Sequence, residues 1–177
     1  MGENRKVHEQ SAVKRLNGVS PQGTAVAPNQ TERENLELMC GINGMPVKEQ
    51  HERADRMIAD FSLEEIADSR AKILSGGWCR RLSIAMAIVT DPELIFLDEP
   101  TLGLDAIARR ELWKHIAGIK GKKTIILTTH YLEEAEALCD RIAIMVGGRI
   151  AALGTADEIK RLAGKDDFEE AFIKIAG

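Results

Sequence analysis

The chain has 177 residues, 44% of them hydrophobic, which suits one domain with a packed core and excludes general disorder. Lys and Arg number 24 against 28 Asp and Glu, a net charge of -4, so no broad electrostatic footprint for nucleic acid is expected. The longest apolar runs, Ile84 to Val89 and Ile142 to Val146, fall far short of the roughly 18 residues that cross a bilayer, and the N-terminus has no secretory apolar region.

Residues 1 to 15 are polar and charged without periodicity, the pattern of a frayed terminus or of a helix stripped of its neighbours. Leu16 to Ser20 predicts a short strand running into the turn Pro21-Gln22-Gly23. Thr31-Glu32-Arg33-Glu34 is a capping box, worth about 1 kcal/mol for its cap. It opens a helix carrying Leu36, Leu38, Met39 and Ile42, with Gly41 and Gly44 as the stop. Pro46 suits a first helical position, and Met57, Ile58 and Phe61 form the apolar side of a charged helix to about Asp60. Ser62 to Glu65 caps a further turn. Residues 31 to 72 therefore read as a small helical unit without strands.

Ser75-Gly76-Gly77 stands directly before an apolar-rich helical pattern that runs to Val89 and stops at Asp91-Pro92. Leu94 to Leu97 is an apolar run too short for a helix, and reads as a strand buried on both faces. Asp105 caps a helix through roughly Ile119. Thr124 to Thr129 is the next buried strand, followed by a helix over 131 to 138. Gly147-Gly148 marks a hairpin between alternating strands. Thr155 to Glu158 is a second capping box, and Phe168, Phe172 and Ile175 share one face of a terminal helix. The alternation of strand and helix predicts an α/β fold with a parallel sheet.

Three polar groups follow three predicted strands: Pro21-Gln22, Asp98-Glu99 and Thr129-His130. Ligands of open α/β sheets bind outside the carboxyl ends of the strands, so these groups are candidates to share one crevice. Asp98 and Glu99 are adjacent and point to different sides, so one suits a hydrated Mg²⁺ and the other suits polarising a water. His130 suits donation to a transferring phosphate. Each also has a plainer reading: a polar turn for Asp98-Glu99, a capped loop residue for His130, an ordinary Pro-Gln-Gly turn for Gln22. Ser75 to Gly77 is either a routine helix N-cap or an anion site made of free N-H groups and the helix dipole. Arg80 and Arg81 lie near it, one turn into the helix, where simple solvation is the plainer reading. The three cysteines (Cys40, Cys79, Cys139) show no C-x-x-C and favour a reducing, cytosolic setting. The four histidines (His8, His51, His115, His130) have no zinc-ligand spacing.

Together these elements resemble the nucleotide-binding domain of ABC transporters. "LSGGW" is similar to the signature motif, "LIFLDEP" to the Walker B strand with its catalytic glutamate, "TLGLD" to the D-loop, "TTH" to the switch histidine and Pro21-Gln22 to the Q-loop. Ser75 and Asp98 are 23 positions apart, as in the family. The resemblance implies an incomplete P-loop NTPase-type parallel sheet with helices on both faces and a small α-helical subdomain. Residues 16-30 and 73-154 would form the α/β core, 31-72 the helical subdomain and 155-177 the C-terminal helices. It implies ATP and Mg²⁺ as ligands, with Asp98 and Gln22 at the metal, Glu99 as general base, and His130 and Gln22 as further catalytic groups. Ser75, Gly76 and Gly77 would act in trans, in a head-to-tail dimer whose two sites Asp105 couples. Residues 31 to 72 would dock onto a polytopic permease, placing the chain in the cytoplasm on the inner face of the cell membrane. Its "TERENLELMCGINGM" stretch and "TLGLD" look closest to bacterial or archaeal exporters of drugs, lipids or similar substrates.

One departure is large. No G-x-x-x-x-G-K-[ST] loop occurs in the sequence, and Gly118 to Thr124 has the wrong spacing for it. That loop supplies the cradle and lysine for the β- and γ-phosphates, so the chain alone is expected to bind ATP poorly and hydrolyse it negligibly. The strand before it, which the family places between the strands that precede His130 and contain Ile142, is expected to be missing too, exposing edges and apolar faces. The chain is thus expected to be the C-terminal portion of an ABC ATPase. Two rivals are a non-catalytic subunit that lends its signature to a complete partner, and a soluble translation or DNA-repair ATPase of the same family.

Overall fold

The computed structural model describes residues 16 to 177, so the reading of the first 15 residues lies outside the described residues. Two compact units divide between Thr128 and Thr129. The first contains strands β1 (Asn17–Ser20), β2 (Leu94–Asp98) and β3 (Thr124–Thr128), paired in parallel in the order β1-β2-β3. Its helices are α1 (Glu32–Ile42), α2 (Val47–Asp60), α3 (Gly76–Ile88) and α4 (Ala106–Ile119), with 3-10 turns at Glu64–Ile66 and Ala71–Ile73. The α/β reading and its parallel sheet hold.

Local chemistry explains most boundaries. Thr31 and Glu34 form both reciprocal bonds of the capping box, and Asp105 accepts from the N-H groups of Ile107 and Ala108, both at 2.9 Å. Gly41 lies inside α1 rather than ending it; Asn43 caps the helix and Gly44 turns the chain at φ 78°. Pro46 is the N-cap of α2 rather than its first helical residue. Ser62 does not cap the next turn, which begins after Leu63; Ser62 instead takes a left-handed backbone at φ 53°.

The core of this unit joins Leu36, Ile58, Phe61, Leu82, Ile84, Ile95, Leu97 and Leu112, all buried. Helix α3 lies hard against β1. A β-carbon on Gly18 would sit 1.9 Å from the Ala87 carbonyl oxygen, so only glycine permits this approach. Two residues on, Ser20 and Ser83 hydroxyls bond at 3.0 Å in a buried contact.

Two burial expectations need correction. In β2 only Ile95 and Leu97 are fully buried, while Leu94 and Phe96 are half-buried. In β3, Thr124, Ile126 and Thr128 are exposed and Ile125 and Leu127 half-buried, because β3 pairs only with β2 among the described strands.

The second unit carries α5 (Leu132–Leu138), the antiparallel pair β4 (Ile142–Val146) and β5 (Arg149–Gly154), α6 (Ala156–Ala163) and α7 (Phe168–Ala176). Gly147 and Gly148 make the predicted hairpin at φ 56° and 76°, and Thr155 with Glu158 closes the second capping box. Ile142, Ile144, Ala152, Ile159, Phe168 and Ala171 form its core.

Candidate functional site

Parallel register places the carboxyl ends of the three strands side by side, with Ser20 opposite Leu97 and Asp98 opposite Thr128. The chain leaves β1 through Pro21 and Gln22, and leaves β2 through Glu99 and Pro100. Gln22 and Asp98 are exposed, Glu99 is half-buried and Pro100 is buried. The structure therefore brings Gln22, Asp98 and Glu99 to one edge of the sheet.

Glu99 has a left-handed backbone, φ 48°, a conformation that costs a residue with a β-carbon roughly 1–2 kcal/mol. It is fixed from both sides. Its N-H donates to the Thr128 carbonyl at 3.0 Å and meets the Thr128 hydroxyl at 3.3 Å. Its carbonyl accepts from the Leu102 N-H at 3.1 Å and from the Arg80 guanidinium. The Thr128 hydroxyl in turn donates to Asp98 Oδ1 at 2.5 Å, so one threonine orients both carboxylate-bearing residues.

Helix α3 carries the second candidate feature, its exposed N-terminus. Ser75 is its N-cap and accepts weakly from the Trp78 N-H at 3.4 Å. Ser75 and Gly76 are exposed, leaving the helix N-terminus open to a phosphate. Gly77 faces Ala108 and Leu104, where a β-carbon would meet side chains at 3.7 and 3.9 Å. The start of α3 thus packs on the turn that Asp105 caps. The neighbouring Cys79 thiol donates to the Ala71 carbonyl at 3.5 Å; burial, and secondarily the Glu32 charge, push it up from its ordinary value, which makes it a poor nucleophile. Trp78 receives the Arg81 guanidinium over its ring at 4.7 Å.

Arg80 is not solvated. It is 3% exposed and its guanidinium donates to five backbone carbonyls. Helical spacing carried the missed signal: Arg80, Ser83, Ile84 and Ala87 lie at i, i+3, i+4 and i+7 on the buried face. Thr128 was equally unread as a site residue, since nothing in the sequence shows that it sits opposite Asp98. His130 belongs to the second unit. It is exposed, with its ring tilted against Tyr131 at 4.2 Å, while the Thr129 hydroxyl accepts from the Tyr131 N-H at 3.0 Å.

Comparison with known proteins places this geometry in a family. The model of the ABC transporter family matches residues 2–102. The chain is 40% identical over 161 residues to the daunorubicin resistance ATP-binding protein DrrA3 of Streptomyces coeruleorubidus, covering 90% of this chain and 51% of that protein. It is 42% identical over 154 residues to ABC transporter A family member 11 of Arabidopsis thaliana, covering 87% of this chain but 16% of that protein. The probable multidrug ABC transporter ATP-binding protein YbhF of Escherichia coli is 36% identical over 164 residues, 89% of this chain and 28% of that protein. The chain therefore spans about half or less of the length of these relatives. Among solved structures, the ATP-binding subunit of an ABC transporter aligns with TM-score 0.81 and 29% identity, over 96% of this chain and 72% of that one. A dimeric ATP-binding cassette in a post-hydrolysis state, bound to ADP and Pi, aligns with TM-score 0.73 and 26% identity, over 84% of this chain and 66% of that one. Strand order, strand-end carboxylates and sequence agree: the chain belongs to the ABC transporter family and has the α/β architecture of its ATP-binding domain.

Proposed function

We propose that these residues form the C-terminal portion of the ATP-binding subunit of an ABC exporter, in which ATP binding and hydrolysis drive transport through a separate polytopic membrane subunit. The observation that carries the reading is the strand-end cluster, where Thr128 fixes Asp98 through its side chain and Glu99 through its backbone. Glu99 is the general base, taking a proton from the water that attacks the γ-phosphate, and Gln22 orients that water. His130 contacts the same phosphate. Asp98, assisted by Gln22, holds Mg²⁺. No cluster of three His, Cys, Asp or Glu side chains is present among the described residues, and magnesium in phosphate chemistry takes one or two carboxylates with water and phosphate completing its shell, so this donor set fits. Mg²⁺ held by Asp98 and Gln22 would supply positive charge to offset the charge that develops on the transferring phosphate.

The sequence holds no G-x-x-x-x-G-K-[ST] loop, so the β- and γ-phosphates must be gripped by residues outside these 177. Ser75, Gly76 and Gly77 cap the γ-phosphate of a nucleotide held by the opposite member of a head-to-tail dimer, and Asp105 couples the two sites from the turn beneath Gly77. The helical subdomain, residues 31 to 72, receives the membrane subunit in a shallow groove lined by Glu34, Glu37, Leu38, Ile42 and Gln50, where Leu38 and Ile42 are 40% and 69% exposed. In this reading the chain lies on the cytoplasmic face of the cell membrane. The names of DrrA3, a daunorubicin resistance ATP-binding protein, and YbhF, a probable multidrug ABC transporter ATP-binding protein, support a drug-transport reading, and the dimeric neighbour supports pairing of two cassettes.

The test uses the chain together with a complete partner cassette. Ser75→Arg should abolish turnover at the site this chain caps. Glu99→Gln should lower turnover at the chain's own site by about 10²–10⁴-fold, the usual contribution of a positioned base, once the phosphate-gripping loop is supplied. Loss on Ser75→Arg with full activity in Glu99→Gln would instead mark a signature-lending, non-catalytic subunit. Stable association with ribosomes or DNA in place of a membrane protein would overturn the transport reading.

A further inference from the structure

We infer that Arg80 is a positioning residue that locks the Gln22 and Glu99 segments to each other and to helix α3, so that the helix beginning at the open Ser75–Gly77 terminus also sets the chain's own strand-end site. The roles of Gln22 and Glu99 in this statement rest on the function proposed above; the clamp itself rests on geometry. A guanidinium has five N-H donors in a rigid planar fork. Here Nε donates to the Pro100 carbonyl at 2.9 Å, one terminal nitrogen to those of Pro21 and Gln22 at 2.6 and 3.2 Å, and the other to those of Asp98 and Glu99, both at 2.5 Å.

The acceptors are chosen in a telling way. Two belong to the exit from β1 and three to the exit from β2, and those segments are about 76 residues apart in the chain, a separation that loop entropy alone would leave loose. Pro21 and Pro100 have no N-H to tie them in, so their carbonyls are the available handles. The Glu99 carbonyl is held while its backbone is left-handed, so the clamp acts at the strained residue. Ser83 and Ala87, further along the same face of α3, fix β1 through Ser20 and Gly18. One helix face therefore sets both the strand and the loop that leaves it. Displacement of the α3 N-terminus by a phosphate would be carried to Gln22 and Glu99 through Arg80.

Lysine keeps the charge but has three donors on one nitrogen and cannot span both segments. In Arg80→Lys, amide hydrogen exchange should quicken in peptides covering 18 to 24 and 97 to 103 by at least about tenfold, the loss of a single charge-assisted bond. Exchange in α1, α2 and the second unit should stay unchanged. A second variant, Arg80→Ala, leaves room for a free guanidinium ion; added far below denaturing concentration it should restore protection of the two segments, and urea at the same concentration should not. With a complete partner cassette, and with the phosphate-gripping loop supplied to the chain's own site, Arg80→Lys should lower kcat there at least tenfold and leave KM for ATP within twofold. Slowed turnover with local exchange in both segments supports the clamp. Faster exchange spread evenly through residues 32 to 60, or protection unchanged at 18 to 24, overturns it. Local exchange at both segments while Glu99→Gln leaves turnover intact supports the clamp and refutes the catalytic reading, so the two fail separately.

Discussion

Glu32 occupies the first turn of α1, where an acidic side chain normally favours the helix dipole, yet it is 0% exposed and neither carboxyl oxygen has a hydrogen-bond partner. Burial pushes its pKa from 4.5 to about 8. The folded state therefore binds a proton that the unfolded state has released between those values, and stability falls as pH rises through that window and levels off above it. Each pKa unit corresponds to about 1.4 kcal/mol, so the effect is of the order of a few kcal/mol. Glu32→Gln should flatten the decline of Tm between about pH 5 and pH 8, raising Tm at the upper end by roughly 4 °C or more, as thermal unfolding across that range would show. An unchanged pH profile would place the titration elsewhere. The capping boxes were legible in the sequence because their partners lie three residues apart. Glu32, Arg80 and Thr128 were not, since their meaning depends on neighbours distant in the chain. The Arg80 register on the buried face was the one clue available.

At the scale of elements, α3 organises the site. Its N-terminus is Ser75–Gly77, its middle holds Arg80, and Ser83 and Ala87 seat β1, which leads to Gln22. Gly18→Ala must push β1 off the Ala87 carbonyl, and overpacking of this kind costs about 1–3 kcal/mol. Gly118→Ala, in α4 with open space around the α-carbon, should instead stabilise by up to about 1 kcal/mol. Urea unfolding of the two variants reads both signs; a neutral Gly18→Ala would contradict the seating of β1 on α3. The positions of α1 to α7 followed from caps and helical period, and the hairpin from its glycine pair. Burial of β3 did not follow. "TIILT" is written as an internal strand, apolar on both faces, but a strand at the margin of the described sheet leaves Ile126 48% exposed. Periodicity reports what a strand is built to bury, not which neighbours are there to cover it.

At the scale of the whole molecule, the family was legible because five short motifs occur in the right order and spacing, while the complete site was not, because in the proposed function it is shared between polypeptides. Val19 and Ile126 in the first unit, and Met145, Ile150 and Leu153 in the second, are 48% to 66% exposed, an apolar surface that suits cover by further structure and invites aggregation without it. In the proposed function the chain brings a base, a metal-binding carboxylate and a phosphate-capping helix terminus, while its sequence holds no phosphate-gripping loop. That division of labour is the central claim, and the affinity and turnover of the purified chain for Mg-ATP test it most directly. The chain alone should show no saturable binding in the micromolar range and no turnover above background. Micromolar binding with turnover that disappears in Glu99→Gln would contradict the account, because the chain would then hold and hydrolyse ATP unaided.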